Sequence, residues 1–172
     1  MVRRLIVTAL LLIVNIILQS TIFQHIQIRG VIPNTAIIII VSLALLRGSV
    51  GGAAAGFFAG LLHDMLFGNI IGFYALLGMI TGWVCGKLST NFYRENYFLP
   101  AVLSCTTLLI YDTVIYVSGI MQGISFSYLN VLFNIILPEA VYTAVFLIPV
   151  YRIVFAINEQ LEAKERRSRR LF

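Results

Sequence analysis

The chain has 172 residues, 60 % hydrophobic and 11 % charged, with 12 Lys and Arg against 7 Asp and Glu. Soluble domains average roughly 45–50 % apolar and about 25 % charged residues. At a mean hydropathy of +0.97, too little polar surface is present to cover a water-facing sphere, which excludes an ordinary soluble protein.

The charges are bunched, so the uncharged stretches between them reach the length a bilayer demands, about 20 residues each rising about 1.5 Å. Six spans are predicted: Leu5 to Phe23, Val31 to Leu46, Ser49 to Phe67, Ile70 to Gly86, Leu99 to about Met121, and about Leu129 to Val150. The first follows Arg3 and Arg4, as the apolar part of a signal peptide would. Its apolar run is long, however, and no small-x-small cleavage site follows Gln19-Ser20-Thr21-Ile22-Phe23, so an uncleaved helix is expected.

Loops rich in Lys and Arg stay on the cytoplasmic side of a membrane. With six spans and a cytoplasmic N-terminus, Arg3, Arg4, Arg47, Lys87, Arg94, Arg152, Lys164, Arg166, Arg167, Arg169 and Arg170 fall inside and Arg29 alone outside. The reverse topology would put almost every cation outside, so both termini are expected in the cytoplasm. Gln24 to Gly30 and Gln122 to Tyr128 then become external connections, and Ser89 to Phe98, with Arg94-Glu95-Asn96, a cytoplasmic one.

Short connections and the lack of an internal boundary predict one all-α integral membrane domain over residues 1–150, six transmembrane helices in a single bundle. Beyond Val150, Asn158 to Glu165 is a good helix former and leads into Arg166-Arg167-Ser168-Arg169-Arg170. Residues 151–172 are therefore expected to be a basic cytoplasmic helix and tail, facing anionic lipids that attract each nearby cation by about 1 kcal/mol. Nothing in that tail has the aromatic interleaving of a nucleic-acid binder. Cys85 and Cys105 show neither metal spacing nor a CxxC motif and are read as small apolar fillers; no cofactor is implied.

Gly48, Gly52, Gly56 and Gly60 recur at four-residue spacing through the third span, with Gly51, Ala55 and Ala59 in a parallel row. Small residues four apart make a flat ridge that lets another helix backbone come close, a main route of helix association in lipid. The fourth span repeats the device with Gly78, Gly82 and Gly86.

Asp64, Asp112 and Glu139 fall within predicted spans. An ionised group in hydrocarbon costs roughly 2.5 kcal/mol or more, so such residues face the protein interior, a cavity or a partner. Counting along the helices puts all three at a similar depth toward the external face, where His63, Asn69 and Tyr111 would join them in one outward-opening polar site. The competing reading is that each merely satisfies a helix end or sits in the headgroup layer, and it is strongest for Asp64, close to the end of its helix. Asn134 and Pro138 are one turn apart just before Glu139; proline frees the carbonyl four residues earlier, so a kink is expected.

Enzyme readings find little support. Tyr111-Asp112 matches half the signature of intramembrane aspartyl proteases, but Leu61-Leu62-His63 precedes Asp64 where Gly-x-Gly would be needed. Gly-x-Ser-x-Gly, His-Glu-x-x-His and P-loop motifs are absent too.

The stretch Gly56-Phe57-Phe58-Ala59-Gly60-Leu61-Leu62-His63-Asp64, followed by Gly68 and Gly72-Phe73-Tyr74-Ala75-Leu76, resembles the signature of MreD, the bacterial rod-shape-determining membrane protein family. Length, span number, the Pro33-Asn34 pair after the first helix, Asp112, Pro138 and the short basic C-terminus fit the same family, and Gly68 and Gly72 join the candidate packing glycines. The resemblance implies a non-enzymatic component of the cell-elongation machinery in the cytoplasmic membrane. Such a component binds the bitopic protein MreC and works with the MreB filament and peptidoglycan polymerases. The family is also similar in fold to the substrate-binding subunits of energy-coupling-factor vitamin transporters. That likeness supplies the alternative, a transporter subunit with an external pocket.

Overall fold

An apolar segment in lipid has to satisfy its own backbone, and the helix does this within one stretch of chain. The computed structural model describes residues 2–68, 70–88, 98–123 and 126–169. Along them run α1 (Val2–His25), α2 (Thr35–Phe67), α3 (Phe73–Leu88), α4 (Phe98–Met121), α5 (Tyr128–Val131), a π-helical turn (Leu132–Ile136) and α6 (Leu137–Arg169). Four stretches are long and apolar enough to cross a membrane, Arg4–His25, Thr35–Phe67, Pro100–Met121 and Tyr128–Lys164, and α3 is a shorter apolar helix. Asn69 and the Arg94-Glu95-Asn96 charges lie outside the described residues, as do the side chains of the arginines at positions 166, 167 and 169.

The 33 residues of α2 do not form one straight rod. Gly48 interrupts the helix at φ 79° and ψ −174°, a backbone region confined essentially to glycine. A Cβ placed on Gly52 would meet Cα and Cβ of Ala44, although eight residues of straight helix rise about 12 Å. The chain therefore reverses at Gly48, and residues 35–47 and 49–67 lie against each other. The same pairing gathers Leu43, Leu46, Ala55 and Ala59 into one buried apolar cluster. Gly48 was expected to begin the packing ridge; instead it makes the turn, with nothing within 4 Å of where its Cβ would stand. Its torsion, rather than its small size, is what the fold uses.

The first arm is the centre of the molecule. Residues 37–44 are all buried, consistent with a segment apolar on every face. Its start is tied down by polar groups. Asn34 caps the helix by accepting from the Ile37 N–H at 3.3 Å, while its own N–H donates to Thr143 Oγ1 of α6 at 2.9 Å. Thr35 donates its hydroxyl to Asn15 Oδ1 of α1 at 2.7 Å. At the opposite end Arg47 donates to Asn158 Oδ1 at 2.8 Å and to Thr8 Oγ1 at 2.6 Å, joining the Gly48 turn to α6 and α1.

The second arm packs on α3 through glycine. A Cβ on Gly52 would strike the carbonyl oxygen of Gly82, one on Gly56 that of Gly78, and one on Gly60 that of Tyr74. Gly86 extends the seam to the backbone of Gly48 and Ser49. Two ridges with the same four-residue step, run in opposite directions, bring backbone onto backbone.

Gly68 and Gly72 have other duties than the ridge to which they were assigned. Gly68 caps α2 by donating to the Asp64 carbonyl at 3.1 Å. Gly72 turns the chain into α3 at φ 102°, with nothing within 4 Å of a Cβ there. Both belong to the connection between helices, where direction has to change within a few residues.

A candidate polar cavity

The three intramembrane carboxylates divide into two environments. Asp64 is 2 % exposed and turned toward the start of α3. Its Oδ2 accepts from the N–H groups of Gly72 and Ala75 and its Oδ1 from that of Tyr74, each at 3.0 Å. The first N–H groups of a helix have no partner within it and favour a negative charge. Asp64 supplies that charge from the neighbouring helix, so it fastens α2 to α3 at the end where the glycine seam finishes.

Asp112 of α4 and Glu139 of α6 instead line a cavity of about 570 Å³, together with His63, Tyr74 and Tyr111. Gln122 and Phe126, in the connection after α4, reach it from the loops at that end of the bundle, and Asn34 and Gln19 add to its polar lining. Glu139 lies near both the Asn34 side chain and Asp112. The His63 ring stacks obliquely on Tyr74, centroids 4.5 Å apart, and Tyr74 faces Tyr111 at 6.3 Å. Near the loops, Tyr116 donates to the carbonyl of Phe126, itself a lining residue, at 2.6 Å.

Several polar atoms in this wall are unsatisfied. Asp112 Oδ2 and His63 Nδ1 are buried without a hydrogen-bond partner among the described residues. The Tyr111 side chain is buried, and its hydroxyl also finds no partner among the described residues.

Glu139 reaches the cavity from an irregular stretch of backbone. Pro138 has no N–H for the Asn134 carbonyl, and its ring crowds that position. The chain widens just upstream into the π-helical turn, where the Leu137 N–H bonds back to the Leu132 carbonyl. Such turns recur at functional sites. Here the turn brings Ile135 and Ile136 onto the cavity wall beside Glu139. Asn134 and Pro138 themselves are exposed and outside the lining; the Asn134 amide donates to the Asn130 carbonyl at 2.9 Å.

Of the residues singled out from sequence, the structure thus brings together Asp112, Glu139, His63 and Tyr111 and separates Asp64 from them. It adds Asn34, Tyr74 and Gln19, which the sequence did not assign to the polar site. Gln19 carries a signal that could have found it: Asn15 and Gln19 are four residues apart in an otherwise apolar helix and therefore share a face. Among the described residues, no three His, Cys, Asp or Glu side chains gather as a metal site would require.

Fold and site define a multi-pass helical membrane protein with an internal polar cavity near one end of its bundle. The sequence model of one family, described as rod shape-determining protein MreD, matches residues 1–160, and the chain belongs to that family. Its role accordingly lies in determining rod shape. No curated protein and no solved structure matched the chain.

Proposed function

We propose that the protein is a non-enzymatic scaffold of the bacterial cell-elongation machinery, held in the cytoplasmic membrane and binding an MreC-like bitopic protein. Through that partner it supports lateral peptidoglycan synthesis alongside the MreB filament. The observation that carries this reading is the family match over residues 1–160. In this reading the chain crosses the membrane six times, the two arms of α2 counting separately. Both ends are cytoplasmic, and the basic stretch 151–172 lies against anionic lipid.

Complementation tests the role. In a rod-shaped bacterium depleted of its own family member, this chain should restore rods, and a tagged copy should retain the MreC-type protein from solubilised membranes. Round cells despite full membrane accumulation, with no such protein retained, would overturn the proposal. The six crossings have their own check: a reporter fused after Phe172 should read as cytoplasmic, and one inserted within residues 122–128 as external. A C-terminal fusion that reads as external would exclude six crossings.

A further inference from the structure

The cavity brings together two carboxyl groups with no Lys or Arg side chain among the described residues of its lining. Asp112 and Glu139 come from different helices and face one space. Arg4 and Arg47 lie at the opposite end, where Arg47 is engaged with Asn158 and Thr8. Two carboxylates sharing a half-enclosed site repel unless a cation or a proton enters between them.

Independent observations show that the wall is unfinished. Tyr111 keeps only 8 % of its surface exposed, lines the cavity, and leaves its hydroxyl without a partner among the described residues. Asp112 Oδ2 is buried and unsatisfied in the same wall. Buried polar groups are almost always paired, so each exception calls for a partner. The rest of the lining is aromatic and aliphatic, including Tyr74, Phe126 and Ile136. Aromatic faces attract cations, and a volume of this size suits a small organic molecule. A bare divalent metal ion fits poorly, because Ca²⁺ takes roughly six to eight oxygen ligands and Mg²⁺ about six.

We propose that this cavity binds an organic cation, a primary ammonium or guanidinium group held by Asp112 and Glu139 within reach of the Tyr111 hydroxyl, with its apolar body along the aromatic wall. The assignment does not depend on the elongation role; a scaffold regulated by such a ligand and a carrier of it would share the site. A free amine and the ammonium headgroup of a lipid present the same chemistry.

The test uses the full chain in nanodiscs of phosphatidylglycerol and radiolabelled phenethylammonium as probe, read by equilibrium dialysis against empty nanodiscs. Saturable binding at one site per chain is expected, displaced by phenethylguanidinium and unaffected by phenethyl alcohol. Asp112→Asn and Glu139→Gln should each weaken binding at least tenfold, and Tyr111→Phe severalfold. Absence of saturable binding, equal competition by the alcohol, or full binding by the folded Asp112→Asn/Glu139→Gln double variant would overturn the proposal. If the carboxylate variants do not fold, the wild-type preference for ammonium over alcohol decides alone. Phosphatidylethanolamine nanodiscs separate the sources: probe affinity falls if a lipid headgroup competes for the site and is unchanged if the natural ligand is a free amine.

Discussion

The glycine seam and the polar cavity share one stretch of chain, the second arm of α2, and are built by opposite choices of side chain. On the α3 side, Gly52, Gly56 and Gly60 remove everything beyond the backbone, and carbonyl groups stand where a methyl would be. Toward the end of the same arm, His63 and Phe67 line the cavity together with Tyr111, Asp112 and Glu139. Without a hydrophobic drive between helices in lipid, close packing has to supply association energy, and small residues allow it. Bulky and charged residues forgo that energy and leave room. The seam thus resembles the frame of the molecule, and the cavity the part that frame holds open.

Substitutions can break or sharpen this contrast, and the largest effect is expected in the seam. Gly56→Leu drives a side chain into the Gly78 carbonyl, and backbone cannot yield as a flexible side chain would. A loss beyond about 3 kcal/mol is expected from such overpacking, seen as failure to accumulate in membranes or to survive size-exclusion chromatography. Normal accumulation would mean that the helices can part without loss of the fold.

Asp64→Leu comes next, because it strands the three N–H groups that the carboxylate receives. A cost of about 3 kcal/mol or more follows from unsatisfied buried donors. Asp64→Asn, which keeps one acceptor oxygen and turns an amide toward the donors, should lose about 1–2 kcal/mol. Thermal unfolding in detergent orders the two. If both variants melt like the wild type while cell shape is lost, Asp64 serves a partner rather than the seam.

Gly48→Ala meets no neighbour but must hold a backbone conformation that L-residues avoid. A loss of about 1–3 kcal/mol is expected, measurable as a lowered melting temperature with membrane accumulation retained.

The cavity should respond least in stability. Asp112→Asn and Glu139→Gln keep side-chain volume and remove a charge from a shared site, so stability should stay within about 1 kcal/mol of the wild type. Any loss of rod-shape complementation at normal abundance would then report function directly. Tyr111→Phe removes a hydroxyl without a partner among the described residues, and its effect on stability should be within about 0.5 kcal/mol. A large loss in either case would make the cavity part of the frame.

Much of this was legible in the chain itself. Composition and spacing of charges determined a helical membrane protein, because a backbone in hydrocarbon must satisfy itself locally, and local satisfaction is written in consecutive residues. The four-residue glycine steps determined close packing for the same reason: neighbours on one helix face are set by the 3.6-residue turn. The signature around Asp64 pointed to the family that the comparison then matched. Which ridge meets which was decided only in three dimensions, since Gly56 meeting Gly78 depends on the direction in which α3 returns. So was the reversal at Gly48, whose sequence context reads equally well as the start of a ridge. The separation of Asp64 from Asp112 and Glu139 is the clearest case. Counting residues assigns all three a similar depth, but depth fixes one coordinate and rotation about the bundle another. That rotation was set by the packing of the seam, which turned Asp64 onto the start of α3 and left the other two facing the cavity.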